Sequence, residues 1–427
     1  MRSRWPYKLH LVLLLLFFSS CANNQRLAPL QPPPSTQETL LPTRDELLVR
    51  VREIPDLKID FVEVATVLAA SQTGIEHPYS TIPRILSPYL DRAKAQLGPK
   101  ATEEEMVAAL NNHVLPFIRS ALGRELMWIH EVFGGTGGDC VPCVLLYLIS
   151  ADSMGLCLKL SILPQHVFLY YEKEGTRRNI ETTAGGLNLS SAQYQDLFLK
   201  SFPFVAFPED PKDLEKFLAP HPRRHLVSGL LCQGELPKRD LALERDCTDA
   251  SRLSPDLAYP LILLARHYAR GKEFAKAEGS ATKAIQASPY DPSLYLARST
   301  FRSSQAKDSL CVEDIEKAIT LAPHHARYHI TKAGKLTNMG RYLEAVASSS
   351  KAIEIAPQVG EYWKNRGALL LLLKKYREAA EDLTRAIELD PRDVDAYADR
   401  ATTWAMLGDE EKYNADRRKA KELKEGR

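Results

Sequence analysis

Residues 358–391 read QVGEYWKNRGALLLLLKKYREAAEDLTRAIELDP, and this stretch decides the fold of the C-terminal part of the chain. It sets Trp363, Gly367, Leu370, Tyr376, Ala379, Leu383, Ala386 and Pro391 in an order of aromatic, small, apolar, aromatic, small, apolar, small and proline. Working outward, Pro391 is the last of the prolines at 255, 289, 323, 357 and 391, each 34 residues from the next. Five positions before each stands alanine, at Ala250, Ala284, Ala318, Ala352 and Ala386, and one period further lies Ala420. Twelve positions before them come Leu243, Ala277, Cys311, Ala345 and Ala379. Twenty-four positions before the later four come Ala265, Ser299, Ala333 and Gly367, with Ala401 one period on. Small residues at these spacings let paired helices approach, and a proline ends the second helix of each unit. Full units therefore run 256–289, 290–323, 324–357 and 358–391, with a further one from 392 and a half unit before 256.

Period and pattern together resemble the tetratricopeptide repeat, whose units are helical hairpins that cannot bury their apolar faces alone. Stacking produces one superhelix with a concave groove. The resemblance implies an all-α solenoid over 237–427 and a protein or peptide held in its groove. A plainer role is open to the same repeats, which is to space the preceding domain from a partner or to close a dimer. Cys311 falls on a packing position and reads as core.

A chain of 427 residues is too long for one ordinary core. With 44% hydrophobic and 26% charged residues the composition argues against wholesale disorder and against a multi-spanning membrane protein. The formal net charge of +2 lacks the basic excess that nucleic-acid binding needs. The cluster Arg417, Arg418, Lys419, Lys421 and Lys424 lies on a helical stretch and reads as a solvated face.

At the N-terminus Arg2, Arg4 and Lys8 precede an apolar run, Leu9–Phe18, that is too short to cross a bilayer. Residues 1–20 thus read as a secretion signal. They end in Phe18-Ser19-Ser20-Cys21, which resembles the lipobox of bacterial lipoproteins, with Phe18 where leucine is usual. That resemblance implies that Cys21 is lipidated and becomes the mature N-terminus; an ordinary secretory cut nearby is the alternative. Residues 21–42, with Pro29, Pro32, Pro33 and Pro34, read as an extended tether. Ala22 rather than aspartate after the cysteine resembles the outer-membrane sorting pattern, implying an envelope protein facing the periplasm. Cys140, Cys143, Cys157, Cys232, Cys247 and Cys311 remain, and an oxidising compartment permits disulfides among them. Spacing alone assigns no pairs, although Cys232 and Cys247 flank a short inter-domain stretch and are a candidate.

Between 43 and 230 the pattern is mixed. Thr43-x-x-Glu46 and Thr102-x-x-Glu105 predict capping boxes, with helices near 59–71, 84–97 and 103–121. A glycine-rich loop, Gly134 to Asp139, leads into a helix from Cys140, with Asp139 as N-cap, Pro142 in the first turn and Gly155 at the end. Strands are expected at 156–163, 166–172 and 178–183, the last two joined at Glu174-Gly175.

Gly138-Asp139-Cys140, Leu146-Tyr147-Leu148, Met154-Gly155-Leu156, Leu163-Pro164-Gln165-His166-Val167-Phe168 and Asn179 to Gly186 resemble the transglutaminase-like superfamily, as does Trp128 to Val132 before them. The resemblance implies an α+β, papain-like domain in which Cys140, His166 and Glu181 form a triad, Glu181 standing where most of the superfamily has aspartate. The residue chemistry is consistent with that. A thiol at a helix start meets unpaired N–H groups that favour thiolate, imidazole can move the proton, and a carboxylate can orient the imidazole. The N–H of Cys140 is the first candidate oxyanion donor and Gln165 a second.

Ordinary roles are open to each: Cys140 as half of a disulfide with Cys143, His166 as a strand residue bonded to backbone, Glu181 as a solvated strand end. Cys140-Val-Pro-Cys143 also admits a thiol–disulfide oxidoreductase, against which the absence of a strand before the motif argues. No second CxxC or paired histidine lies nearby to complete a zinc site, and neither metal nor cofactor is expected. The sequence expectation is an α+β transglutaminase-like domain followed by the solenoid, acting as an envelope-tethered cysteine hydrolase or acyltransferase on amides. A non-catalytic protein-binding adaptor is the alternative.

Overall fold

The computed structural model describes residues 41–425 apart from 56–57, 74–79, 122–139, 164–165, 175, 183–186, 190–207, 233–239 and scattered positions between 209 and 220. The stretch expected to be a secretion signal, Cys21 and the expected tether up to residue 40 lie outside the described residues, as do Trp128 to Val132, Gly134 to Asp139, Pro164 and Gln165.

The chain enters through helices α1 (Arg44–Glu53), α2 (Phe61–Thr73), α3 (Thr81–Ala95), α4 (Glu103–His113) and α5 (Leu115–Ala121). Both expected capping boxes are present. The hydroxyls of Thr43 and Thr102 accept from the backbone N–H of the glutamate three residues on, and each threonine N–H donates back to that carboxylate at 2.8 Å.

Helix α6 (Cys140–Ser153) is apolar on nearly every side, so it can be stable only at the centre of a core. It packs on α2, α3, α4, α5 and the second strand, and Val144 to Leu148 are buried. The Tyr147 hydroxyl, which burial would leave unsatisfied, donates to Asn111 Oδ1 at 2.8 Å. Gly155 ends the helix as expected: its φ is +75°, and Leu156 N–H donates to Ala151 O at 2.9 Å.

An antiparallel sheet follows, in the order β1 (Lys159–Leu163), β2 (His166–Lys173), β3 (Thr176–Glu181), β4 (Leu187–Leu189). β3 starts two residues before its expected position, and the short β4 was not expected at all. The register pairs Leu160 with Leu169 and Leu169 with Ile180. These residues and Tyr171 share one core with α6. Ser161 pairs with Phe168 in the alternate row, on the opposite face of the sheet.

The remaining helices come in pairs: α7 (Arg224–Cys232) with α8 (Asp240–Leu253), α9 (Ala258–Arg270) with α10 (Phe274–Ala287), and α11 (Pro292–Ser303) with α12 (Asp308–Leu321). Then follow α13 (Ala326–Asn338) with α14 (Tyr342–Ile355), α15 (Gly360–Leu372) with α16 (Tyr376–Leu389), and α17 (Val394–Leu407) with α18 (Glu410–Glu425). First helices begin at 224, 258, 292, 326, 360 and 394, and second helices at 240, 274, 308, 342, 376 and 410, a 34-residue step throughout. A complete pair therefore stands where the sequence suggested half a unit, and its first helix begins inside the segment that the sequence reading gave to the preceding domain. Two signals are missing there: Leu231 occupies the small-residue position, and His221 stands where the proline would be.

The alanines five positions before the prolines are all buried, and so are Ala265, Ala277, Ser299, Cys311, Ala333, Ala345, Ala379 and Ala401. Gly367 shows why size matters: a Cβ there would lie 2.8 Å from Leu383 Cγ. Each hairpin from α9 onward turns through one left-handed residue, Lys272, Ala306, Gly340, Lys374 or Gly408, with φ between +57° and +78°. The first helix pair is fused to the domain before it. Leu226, Leu230, Leu231, Cys247, Ala250 and Leu253 belong to the same core as α6, and Arg44 of α1 donates to Asp246 at 2.7 Å and Asp249 at 2.9 Å.

Candidate functional site

Cys140 is the first residue of α6, His166 the first of β2 and Glu181 the last of β3. β2 packs on α6 and pairs with β3, so the backbone brings His166 and Glu181 to the same end of the sheet. Continuing the β2–β3 register by one residue beyond Leu169 and Ile180 sets Glu181 opposite Phe168, two residues along β2 from His166. The side chains of Cys140 and His166 lie outside the described ones. Glu181 is buried rather than solvated, with 5% of its surface exposed. It follows Ile180, which faces the α6 core, and so it lies in the alternate row with Phe168. That row also carries Arg177, stacked 3.8 Å over the Tyr170 ring and donating from Nε to Asn179 Oδ1 at 2.8 Å.

At the C-terminal end of α6 an open cleft of about 520 Å³ is lined by Lys58, Asp60, Asp152, Ser153, Cys157 and Arg223 among others. Fourteen residues of helix put it about 20 Å from Cys140. Arg223 closes one side through paired 2.8 Å bonds to Asp152, whose carboxyl burial pushes above its ordinary range against the pull of the guanidinium. Nearby, His221 Nδ1 meets His225 Nδ1 at 2.9 Å, and His225 Nε2 meets Asp256 Oδ1 at 2.9 Å. This chain ties the edge of β1, where His221 N–H donates to Leu160 O, to the loop before α9. Burial, and then the neighbouring His225, hold His221 down to about 4. Among the described residues no cluster of three or more His, Cys, Asp or Glu could hold a metal ion, and no helix is long and apolar enough to cross a membrane.

In the solenoid a side-chain clasp repeats. Arg366 donates from Nε and Nη2 to Asp382 at 2.7 and 2.8 Å and from Nη1 to Ser350 Oγ at 3.0 Å. Arg400 does the same with Asp416 and Thr384, and Arg298 with Asp314 and Thr282. Each arginine joins the second helix of its own unit to that of the unit before, 16 residues away on either side. Bidentate pairing of this kind fixes geometry as well as charge. Position six after the prolines carries a second device: Tyr295 OH, His329 Nε2–H and Trp363 Nε1–H donate to the carbonyls of Pro289, Pro323 and Pro357 at 3.1, 2.8 and 2.8 Å. Both devices were legible as further 34-residue periods, and the expectation built on small residues passed over them. The unit from 324 departs from the clasp, with Lys332 paired to Glu316 at 2.7 Å instead.

With those polar groups committed to stacking, the surface left for ligands includes apolar residues that no unit covers. Leu372 and Met406 occupy equivalent places one period apart and are 55% and 58% exposed. An open cleft of about 510 Å³ between α16 and α17 is lined by Trp404 and Leu407 with Arg377, Glu381, Arg385 and Glu388.

A tetratricopeptide-repeat profile matches residues 360–393. No curated protein matches the chain. Among solved structures, YrrB, described as a TPR protein with an unusual peptide-binding site, is 19% identical over 42% of this chain and 91% of its own, with a TM-score of 0.36. MamA from Desulfovibrio magneticus is 15% identical over 40% and 96%, at 0.37. The C-terminal part of a TPR repeat-containing protein from Cytophaga hutchinsonii is 15% identical over 43% and 72%, at 0.39. The matched profile and the 34-residue step of the helices make the C-terminal part a tetratricopeptide-repeat array, an architecture whose extended surface binds proteins or peptides.

Proposed function

We propose that this chain is an exported lipoprotein, held in the cell envelope by lipidated Cys21 and facing the periplasm from the outer membrane. Its repeats capture a protein or peptide for cysteine chemistry on amides in the transglutaminase-like domain before them. The observation that supports this reading is the order of elements: a 14-residue buried helix starting at Cys140, packed on an antiparallel strand that starts at His166 and pairs with one ending at Glu181. Cys140 Sγ attacks the amide carbonyl, His166 takes the thiol proton and returns it to the leaving amine, and the C–N bond gives way to a thioester. Water or an amine then resolves that thioester. Glu181 orients His166.

A non-catalytic adaptor is the second reading, and the row occupied by Glu181 favours it, since that row faces away from the α6 core. Alkylation at neutral pH separates the two. Modification of Cys140 ahead of the exposed Cys157, slowed by His166→Ala and retained in Cys143→Ser, supports the enzyme. Labelling of Cys157 alone supports the adaptor. A thiol–disulfide oxidoreductase would instead need both Cys140 and Cys143.

A further inference from the structure

Cys232 ends α7 and Cys247 lies midway along α8, the helix packed against it. Both are buried in one core, with 5% and 0% of their surface exposed, and burial first and then the neighbouring Cys247 push the Cys232 thiol up. They sit in the first helix pair, where the repeat begins and where its packing is shared with the preceding domain. This pair has the shortest first helix of the array, nine residues against 12 to 14 in the others. The corresponding positions one period on are Arg266 and Ala281, so the thiol pair belongs to this junction and not to the repeat pattern.

We propose that Cys232 and Cys247 are joined by a disulfide in the mature protein, a covalent staple that locks the two helices of the first pair to each other where they share a core with the domain before them. The bond forms by exchange with a small-molecule or protein disulfide. One cysteine, as thiolate, attacks the oxidant and expels a thiolate. The second cysteine then attacks the mixed disulfide and expels the other. Two cysteines are oxidised, one external disulfide is reduced to two thiols, and the cysteine protons pass to the departing thiolates. Because both sulfurs are buried in the finished pair, exchange takes place before α7 docks on α8, and the folded protein resists mild reductants.

The occurrence of the bond in cells rests on the export reading; its formation does not. The test is therefore run in two settings. The full chain is refolded in a glutathione redox buffer, blocked with N-ethylmaleimide under denaturing conditions and digested without reductant. The expected result is a peptide pair linked through Cys232 and Cys247, and a melting temperature that falls by several degrees after reduction under denaturing conditions and refolding. A Cys232→Ala, Cys247→Val variant, which keeps the site apolar, should melt like the reduced protein and be insensitive to reductant. Maleimide on both cysteines in every refolded fraction, or either one linked to a third cysteine, overturns the pairing. The same digest is made from cells blocked before lysis. Linkage there supports both readings, whereas a bond that forms in the refolded chain but not in cells upholds the pairing and overturns export.

Discussion

From Ala258 onward small residues, mostly alanine, recur every 34 residues at the buried positions where helices approach, whereas around α6 the core is built from Leu146, Tyr147, Leu148, Leu169 and Tyr171 at no fixed interval. The first kind of packing brings backbones close and repeats one contact. The second fills a closed volume with large side chains. An added methyl should therefore harm the solenoid most, and a removed side chain the domain before it.

The largest effect is expected from Leu146→Ala, which empties a fully buried site and should destabilise by about 2–5 kcal/mol. Because the core runs on through α8, hydrogen exchange should rise in α1 to α8 together, while α13 to α18 stay protected. Ala386→Leu reverses the experiment. Overpacking at this buried alanine should cost about 1–3 kcal/mol, with exchange rising in α15 to α18 and the α6 core unchanged. Matching losses in both regions for either variant would mean that the chain melts as a single unit.

The same contrast explains what could be read from sequence. Ala250 to Ala386 and the prolines announced the repeat because each unit obeys one geometry, and even the proline-bound aromatics recur in step. The first helix pair escaped because Leu231 and His221 break that geometry where the repeat meets a larger core. In the preceding domain the local chemistry of Thr43, Thr102 and Gly155 was legible, since a cap or a left-handed turn depends on few neighbours. Whether Cys140, His166 and Glu181 meet depends on sheet register and on loops outside the described residues, which no local pattern fixes.

Acid should separate the regions further, with opposite signs. His221 is neutral in the fold and held near 4 by burial, so unfolding takes up a proton between the ordinary histidine value and that one. Its contribution is present above about 6.5 and is lost as pH falls toward 4. Asp291, the N-cap of α11, is pushed up to about 6 by burial, although Ser293 N–H and Oγ–H donate to it at 2.8 and 2.6 Å. Its contribution is complete below the ordinary aspartate value and is lost as pH rises through 6. From pH 7 to pH 4.5, exchange protection should fall at α7 and rise at α11, and Asp291→Asn should remove only the second change. The smallest effect is expected at a hairpin turn. Ala306 carries φ +57°, and Ala306→Gly should stabilise the unit by about 0.5 kcal/mol in chemical denaturation, against the loss usual for glycine in a helix.

Partner capture tests the central claim most directly. A photo-crosslinking residue is placed at Leu372 in the solenoid or at Val49 in α1, two apolar sites of nearly equal exposure, 55% and 54%. If the repeats are the binding surface, irradiation of cells should join a protein or peptide to the chain from position 372 and not from 49, with the adduct unchanged by Cys140→Ala. Adducts from position 49 alone would place binding in the preceding domain and contradict the account.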